Sequence, residues 1–223
     1  MGTTADKLNK LLQTKQAIKQ VIVDKGVDVG DDTKFSDYPA KINAIQTGDA
    51  DSVWNIVTNN WTRGEYMFYY CNKITSIDSS NWDTSKITSM RYMFSGCTNL
   101  TSIDVSGFDT SKVTNMNSVL YGCQTLKSLD CSAWDVTKVT GSYNLGSAFN
   151  YCTVLVDFKA PKNINANMDV TYSKNLSHDS LMSIINNLMT TTSTKKLTLG
   201  ATNKAKLTAE EIAIATGKGW TVA

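Results

Sequence analysis

The sequence predicts an α/β solenoid in which short parallel strands stack unit on unit, preceded by an N-terminal helical segment and closed by a helix-containing C-terminal cap. Three observations predict it. Cys71, Cys97 and Cys123 stand 26 residues apart, and Cys152 follows 29 later. Three and six residues after each cysteine comes an apolar residue: Ile74 and Ile77, Leu100 and Ile103, Leu126 and Leu129, Leu155 and Phe158. A unit this short cannot bury its own apolar face, so neighbouring units must share one core and become stable together.

Within the unit, the stretch ending at Ile77, Ile103, Leu129 and Phe158 is extended and predicts one short parallel strand, ~4.8 Å from the next. The Met-Phe pairs before the cysteine (Met67-Phe68, Met93-Phe94, then Val119-Leu120 and Ala148-Phe149) have helical spacing from Met90 and Met116. They predict a short helix or helical turn on the opposite side, with α, 3₁₀ and loop forms left open. Cysteine suits the interior of that turn as a small hydrophobe. An aromatic–Asp pair recurs as Trp82-Asp83, Phe108-Asp109 and Trp134-Asp135, followed by TSKIT, TSKVT or VTKVT. The extra residues of the fourth unit fall in GSYNLGSAFNYC, which predicts a bulge at a turn. These features together describe a solenoid of the leucine-rich-repeat kind over residues 49–175.

The ends read differently. Over residues 4–26, Leu8, Leu11, Leu12, Ile18, Val21 and Ile22 form one stripe at three-to-four spacing, an amphipathic helix that Gly26 would stop. A second short helix is predicted near 36–45. The stripe on segment 1–48 needs a partner: the second helix, the first unit, or copies of itself in a homo-oligomer, a trimer among the options. Residues 176–223 predict a cap, with helices over 180–189 and 208–216, a strand over 196–199, and a last strand from Trp220. Thr208 with Glu210 and Glu211 is a good helix start. A stack of units needs such an end to cover its last apolar face.

Composition excludes several functions. A net charge of +2 gives no general attraction to nucleic acid. No apolar run approaches the ~18–20 residues of a membrane span, and the polar N-terminus is unlike a secretory signal, so the chain is expected in a cytoplasm at synthesis. A single histidine, His178, leaves little room for a His-based metal site or a catalytic triad, and no phosphate loop or nucleophile elbow is present. No enzyme activity, no cofactor and no metal are expected.

Several ladders of residues remain as candidates. The cysteines lack the tight pairs of zinc sites and are expected as buried free thiols, with Cys131 a core residue of its strand. The rows Asp78/Asp104/Asp130 and Asp83/Asp109/Asp135 suit Asx turns better than calcium. Trp82, Phe108 and Trp134 suit the core better than a sugar platform. Lys86, Lys112 and Lys138 suit a solvated rim. His178 suits helix-start duty. The less regular tyrosines Tyr66, Tyr69, Tyr70, Tyr92, Tyr121, Tyr143 and Tyr151 are the better ligand candidates, chiefly Tyr66, Tyr92, Tyr121 and Tyr143, because tyrosine gives broad contact at low entropic cost.

The pattern MFxxCxxLxxIDxSxFDTSxVTxM, best matched over Tyr92–Met116, resembles the 26-residue surface-protein repeat of the BspA-like (DUF285) group of leucine-rich repeats. The resemblance covers about residues 64–160 and implies a binding surface on cells or particles without catalysis. The LNKLLxTKxAIKxxI helix, the Lys25-Gly26-Val27 turn and the F-x-x-Y-P-A-K-I segment resemble an N-terminal segment of tailed-phage fibre and tail proteins. The C-terminal stretch resembles closing repeats of phage-borne leucine-rich-repeat proteins. These resemblances imply a virion location, phage structural proteins as docking partners through Leu8, Leu11, Leu12, Ile18 and Ile22, and a host-surface protein or glycan as ligand. A bacterial surface adhesin and a decoration protein without a ligand are the alternatives.

Overall fold

The computed structural model describes residues 62–223 apart from 78, 80–81 and 142–144. The predicted N-terminal helices, with Leu8, Leu11, Leu12, Ile18 and Ile22, lie outside the described residues, as do Asp78 and Tyr143. The described chain is a mixed α/β structure with short parallel strands and few helices. Strand β1 (Ser76–Ile77) pairs in parallel with β2 (Ser102–Ile103), placing Ile77 opposite Ile103. Strand β3 (Ser128–Asp130) pairs in parallel with β4 (Asp157–Lys159), placing Leu129 opposite Phe158. The register is therefore the spacing of the sequence repeat, 26 residues and then 29. In β3 and β4 the central residue is buried and its neighbours are exposed, the alternation that one packed face imposes.

The stretch before each cysteine is not the helix its spacing predicted. Among the described residues no helix precedes His178. The stretch is instead a run of linked tight turns: Met67 N–H donates to Gly64 O, Tyr69 to Tyr66 O and Cys71 to Phe68 O. Left-handed residues recur within it, at Tyr66, Tyr92 and Ser118 (φ 59°, 55° and 54°) and again at Tyr70, Gly96, Gly122 and Tyr151. No α-helix accommodates such residues. Because each turn reverses handedness, every second N–H points along the stack. Gly64, Tyr66, Phe68 and Tyr70 donate to the carbonyls of Ser89, Arg91, Met93 and Ser95 at 2.8–3.1 Å, a second inter-unit ladder on the side opposite the strands.

The core lies between these two ladders. Phe68 stacks on Phe94 at 5.4 Å, and Trp82 on Phe108 on Trp134 at 5.7 and 6.0 Å, all buried. The cysteine thiols point inward and back. Cys97 Sγ donates to Phe68 O, Cys123 Sγ to Phe94 O and Cys152 Sγ to Leu120 O, at 3.0, 3.3 and 3.3 Å. The column does not end with the last cysteine. Ser173 Oγ donates to Phe149 O at 2.7 Å, and Asn203 Nδ2 to Val170 O at 3.2 Å. Both are completely buried.

Beyond Ser173 the two ladders part company. The turn-side ladder becomes a parallel sheet of β5 (Met168–Asp169), β6 (Lys195–Thr198) and β7 (Trp220–Val222). On the strand side, helix α1 (His178–Asn187) lies where the strand after β4 would be. Its hydroxyls take over the strand's hydrogen bonds. Phe158 N–H donates to Ser180 Oγ at 2.7 Å, Ser180 Oγ donates to Val156 O at 2.8 Å, and Ala160 N–H donates to Ser183 Oγ at 2.9 Å. A short helix α2 (Gly200–Lys204), not predicted, carries Asn203, and α3 (Ala209–Gly217) stacks on α1. The helix start expected at Thr208, with Glu210 and Glu211 in the first turn, is present, and Thr208 and Glu211 close a capping box there.

Candidate functional site

Tyrosines gather on the turn side in two groups. In the first, Tyr66 stacks on Tyr92 with ring centres 5.0 Å apart, and Tyr69 stands edge-on to Tyr66, Tyr70 and Tyr92 at 5.4, 4.5 and 5.7 Å. The Arg91 guanidinium lies 4.9 Å above the Tyr92 ring. In the second, Tyr151 contacts Tyr121 at 5.0 Å and stacks on Tyr172 at 4.3 Å. Tyr70, Tyr172 and Tyr66 are 55%, 45% and 42% exposed, which makes them three of the most exposed large hydrophobic side chains in the described chain. Partial withdrawal from water, and then the neighbouring phenols, hold Tyr69 and Tyr151 above the ordinary phenol range, so both stay neutral.

Of the tyrosines that the sequence singled out as ligand candidates, Tyr66 and Tyr92 fall in the first group and Tyr121 in the second. Tyr143 lies outside the described residues. Tyr172 was missed. The signal was present, since Tyr172-Ser173 repeats the spacing of Tyr70-Cys71 and Tyr151-Cys152 once serine is accepted in place of cysteine.

The other ladders serve the backbone. Asp83, Asp109 and Asp135 accept from the N–H two residues on, at 2.9–3.0 Å, and Asp104 and Asp130 do the same. These hydrogen bonds, led by the hydroxyls of Ser85, Ser111 and Thr137, hold Asp83, Asp109 and Asp135 below the usual carboxylate range. For Asp130 the Lys159 ammonium, 2.7 Å away, contributes most and brings it to about 2. Among the described residues no group of histidine, cysteine and carboxylate side chains is arranged to hold a metal ion. All five cysteines are free and buried. Burial pushes the Cys97 and Cys152 thiols up to about 12. Trp82, Phe108 and Trp134 belong to the core and offer no face to a sugar. Lys86, Lys112 and Lys138 are exposed. His178 opens α1 and reaches across to Glu211 at 2.8 Å.

Sequence reasoning also missed the buried threonines of the TSK element. Thr84 Oγ1 accepts from Asp109 N–H at 2.7 Å and donates to Asp109 O, and Thr110 does the same with Asp135.

A family model described as a mycoplasma protein of unknown function, DUF285, matches residues 44–179, more than half of the chain. The chain belongs to the DUF285 family. Its match extends past the predicted repeats on both sides and takes in Tyr172, Ser173 and the start of α1. It begins at residue 44, inside the predicted N-terminal segment 1–48, and no match supports the resemblance of that segment to phage proteins. No curated protein and no solved structure matches this DUF285 chain. Among the described residues, no helix of the DUF285 fold is long and apolar enough to cross a membrane.

Proposed function

We propose that this DUF285 chain is a non-catalytic attachment protein, a leucine-rich-repeat solenoid that presents its tyrosine side to a host-surface protein or glycan. The observation that carries the reading is the pair of exposed tyrosine groups, in a chain whose aspartates are spent on backbone turns and whose cysteines and Trp82, Phe108 and Trp134 are spent on the core. Rings held by neighbouring rings, edge-on around Tyr69 and stacked in Tyr66–Tyr92 and Tyr151–Tyr172, lose little freedom on binding. In this reading residues 1–48 dock the chain on a phage virion component through Leu8, Leu11, Leu12, Ile18 and Ile22, as a homo-oligomer. It would be part of a head or tail fibre or decoration, and many copies would supply avidity from modest single contacts. No cofactor and no nucleic acid take part.

Two experiments test it. Full-length protein and a Tyr66→Ala/Tyr172→Ala variant are compared for binding to whole candidate host cells. The reading expects the wild type to bind and the variant to bind less. Particle incorporation is compared between the full chain and one lacking residues 1–48. Incorporation without that segment overturns the virion docking, while cell binding by the same protein supports the alternative, a bacterial cell-surface adhesin. Absence of cell binding supports a decoration protein without a ligand.

A further inference from the structure

Tyr151 and Tyr172 are held together at both ends of their rings. One buried side chain fixes the roots: Asn150 Oδ1 accepts from Tyr151 N–H at 3.0 Å and from Tyr172 N–H at 2.8 Å. The next residues are joined as well, since Cys152 N–H donates to Ser173 Oγ at 3.1 Å. At the tips, after partial withdrawal from water, it is hydrogen bonding with Tyr172 that most raises the Tyr151 phenol, so the two hydroxyls lie side by side. Roots together and tips together put the rings in register, with centres 4.3 Å apart and planes 23° from parallel. The ring carbons ortho to one hydroxyl then lie over those ortho to the other. No other tyrosine pair among the described residues combines such closeness with such alignment. Tyr66–Tyr92 is parallel but at 5.0 Å, Tyr121–Tyr151 is at 5.0 Å and tilted by 49°, and Tyr69–Tyr70 is perpendicular.

Removing one electron from a tyrosine spreads the radical over its oxygen and the ortho ring carbons, and two such carbons in contact can join. The surroundings favour that outcome here. Tyr172 is 45% exposed and open to an oxidant, with Tyr151 half-buried beside it. An electron vacancy passes readily between rings in contact, so Tyr172 serves as the entry for both oxidations. The adjoining thiol, Cys152, is completely buried and donates to Leu120 O. Burial holds it protonated, up to about 12, so no thiolate is present to reduce the radical. Tyr151 also carries its ring at φ 60°, a left-handed position that Gly96 and Gly122 fill in the preceding units. A bulky residue there is a costly outlier of the kind found at functional sites.

We propose that Tyr151 and Tyr172 form an oxidative cross-linking site, at which a one-electron oxidant of the peroxide-fed haem class joins the two rings through a carbon–carbon bond ortho to their hydroxyls. Each phenol gives up one electron and its hydroxyl proton. The two phenoxyl radicals pair to form the bond, and the hydrogens on the joined carbons pass to the oxygens, which restores both phenols. The net loss of two electrons and two protons reduces one hydrogen peroxide to two waters. The product staples neighbouring rungs as a disulfide would, restricting the unfolded chain, in a protein whose own cysteines are all free and buried. The site is independent of the attachment reading above.

The test treats the full chain, dilute enough to keep molecules apart, with a haem peroxidase and hydrogen peroxide. The monomer is then isolated on a denaturing gel, digested and mapped by mass spectrometry. Expected are dityrosine fluorescence in the monomer, a peptide pair joining Tyr151 to Tyr172 that is lighter by two hydrogens, and a higher Tm for the treated protein. Two variants keep every ring and remove one hydroxyl each. Tyr172→Phe should lose the joined peptide pair, and Tyr66→Phe should form it as the wild type does. The same treatment in urea, where the two rings are no longer held together, should lose it too. Absence of dityrosine from the monomer, dityrosine mapped only to another pair, or an equal yield of the Tyr151–Tyr172 peptide from folded and urea-unfolded protein overturns the proposal.

Discussion

A buried cysteine in this column has two tasks: to fill a small volume and to donate a proton to the carbonyl of the unit behind it. Cys123→Ala fails at both and is expected to cost about 1–2 kcal/mol in urea denaturation. Cys123→Ser keeps the donor and is expected to cost less, because Ser173 already performs the same task at Phe149 O. With Cys97 and Cys152 raised to about 12, no thiolate forms near neutral pH. All five thiols should resist a thiol-reactive dye until denaturant unfolds the chain. Thr110 is a sharper case. Its hydroxyl satisfies both the N–H and the carbonyl of Asp135, so Thr110→Val, nearly isosteric, should cost about 2–3 kcal/mol by stranding both groups. The spacing in the sequence marked the cysteine positions but not these duties. It could not show that Ser173 and Asn203 continue the row, because what persists there is a donor and not a residue type.

At the scale of elements, α1 and α3 were legible because their signals are local, while the five-residue α2 was not. Ser177 and Thr208 cap α1 and α3 through their own side chains, and each is a residue that favours that position. The turn-rich stretch was illegible for a physical reason. Apolar residues three apart suit a helix and a run of tight turns alike, and four of the left-handed positions that decide between them are held by tyrosine, which carries no turn signal, against two held by glycine, Gly96 and Gly122. The role of α1 was also hidden. Ser180 and Ser183 look like ordinary helix serines, yet they satisfy the open edge of β4. Ser180→Ala should cost about 1–3 kcal/mol by thermal or urea unfolding. Between α1 and α3, His178 is raised above the ordinary histidine value, first by its hydrogen bond to Glu211, with Asp179 adding less. Stability from this contact is complete below the unfolded-state value of ~6.5 and is lost as pH rises through the higher folded-state value. Glu211, lowered first by the Thr208 N–H and then by His178, contributes above ~4.3 and loses that contribution as pH falls through its lower folded value. His178→Gln should therefore remove a step in Tm on the alkaline side of about pH 6.5, and NMR titration of wild-type His178 should report the raised value.

For the molecule as a whole, each turn-side rung hydrogen-bonds to the rung about one repeat on, 25 residues from Gly64 to Ser89 and 28 from Leu120 to Ala148, so length is best adjusted in whole repeats. Deleting residues 98–123 joins Cys97 to Gln124 and keeps every donor opposite its acceptor. That protein should fold, with a lower Tm, as circular dichroism would show. Deleting only 98–110 puts buried and exposed positions on the wrong faces and should abolish cooperative unfolding. The column of Cys97, Cys123, Cys152, Ser173 and Asn203 adds a direction to this order, because every side-chain donor in it reaches toward the amino terminus. On the ribosome, where earlier residues emerge first, each new rung thus meets an acceptor already made, and the nascent polypeptide can wind itself up behind the exit tunnel without waiting for its last codon.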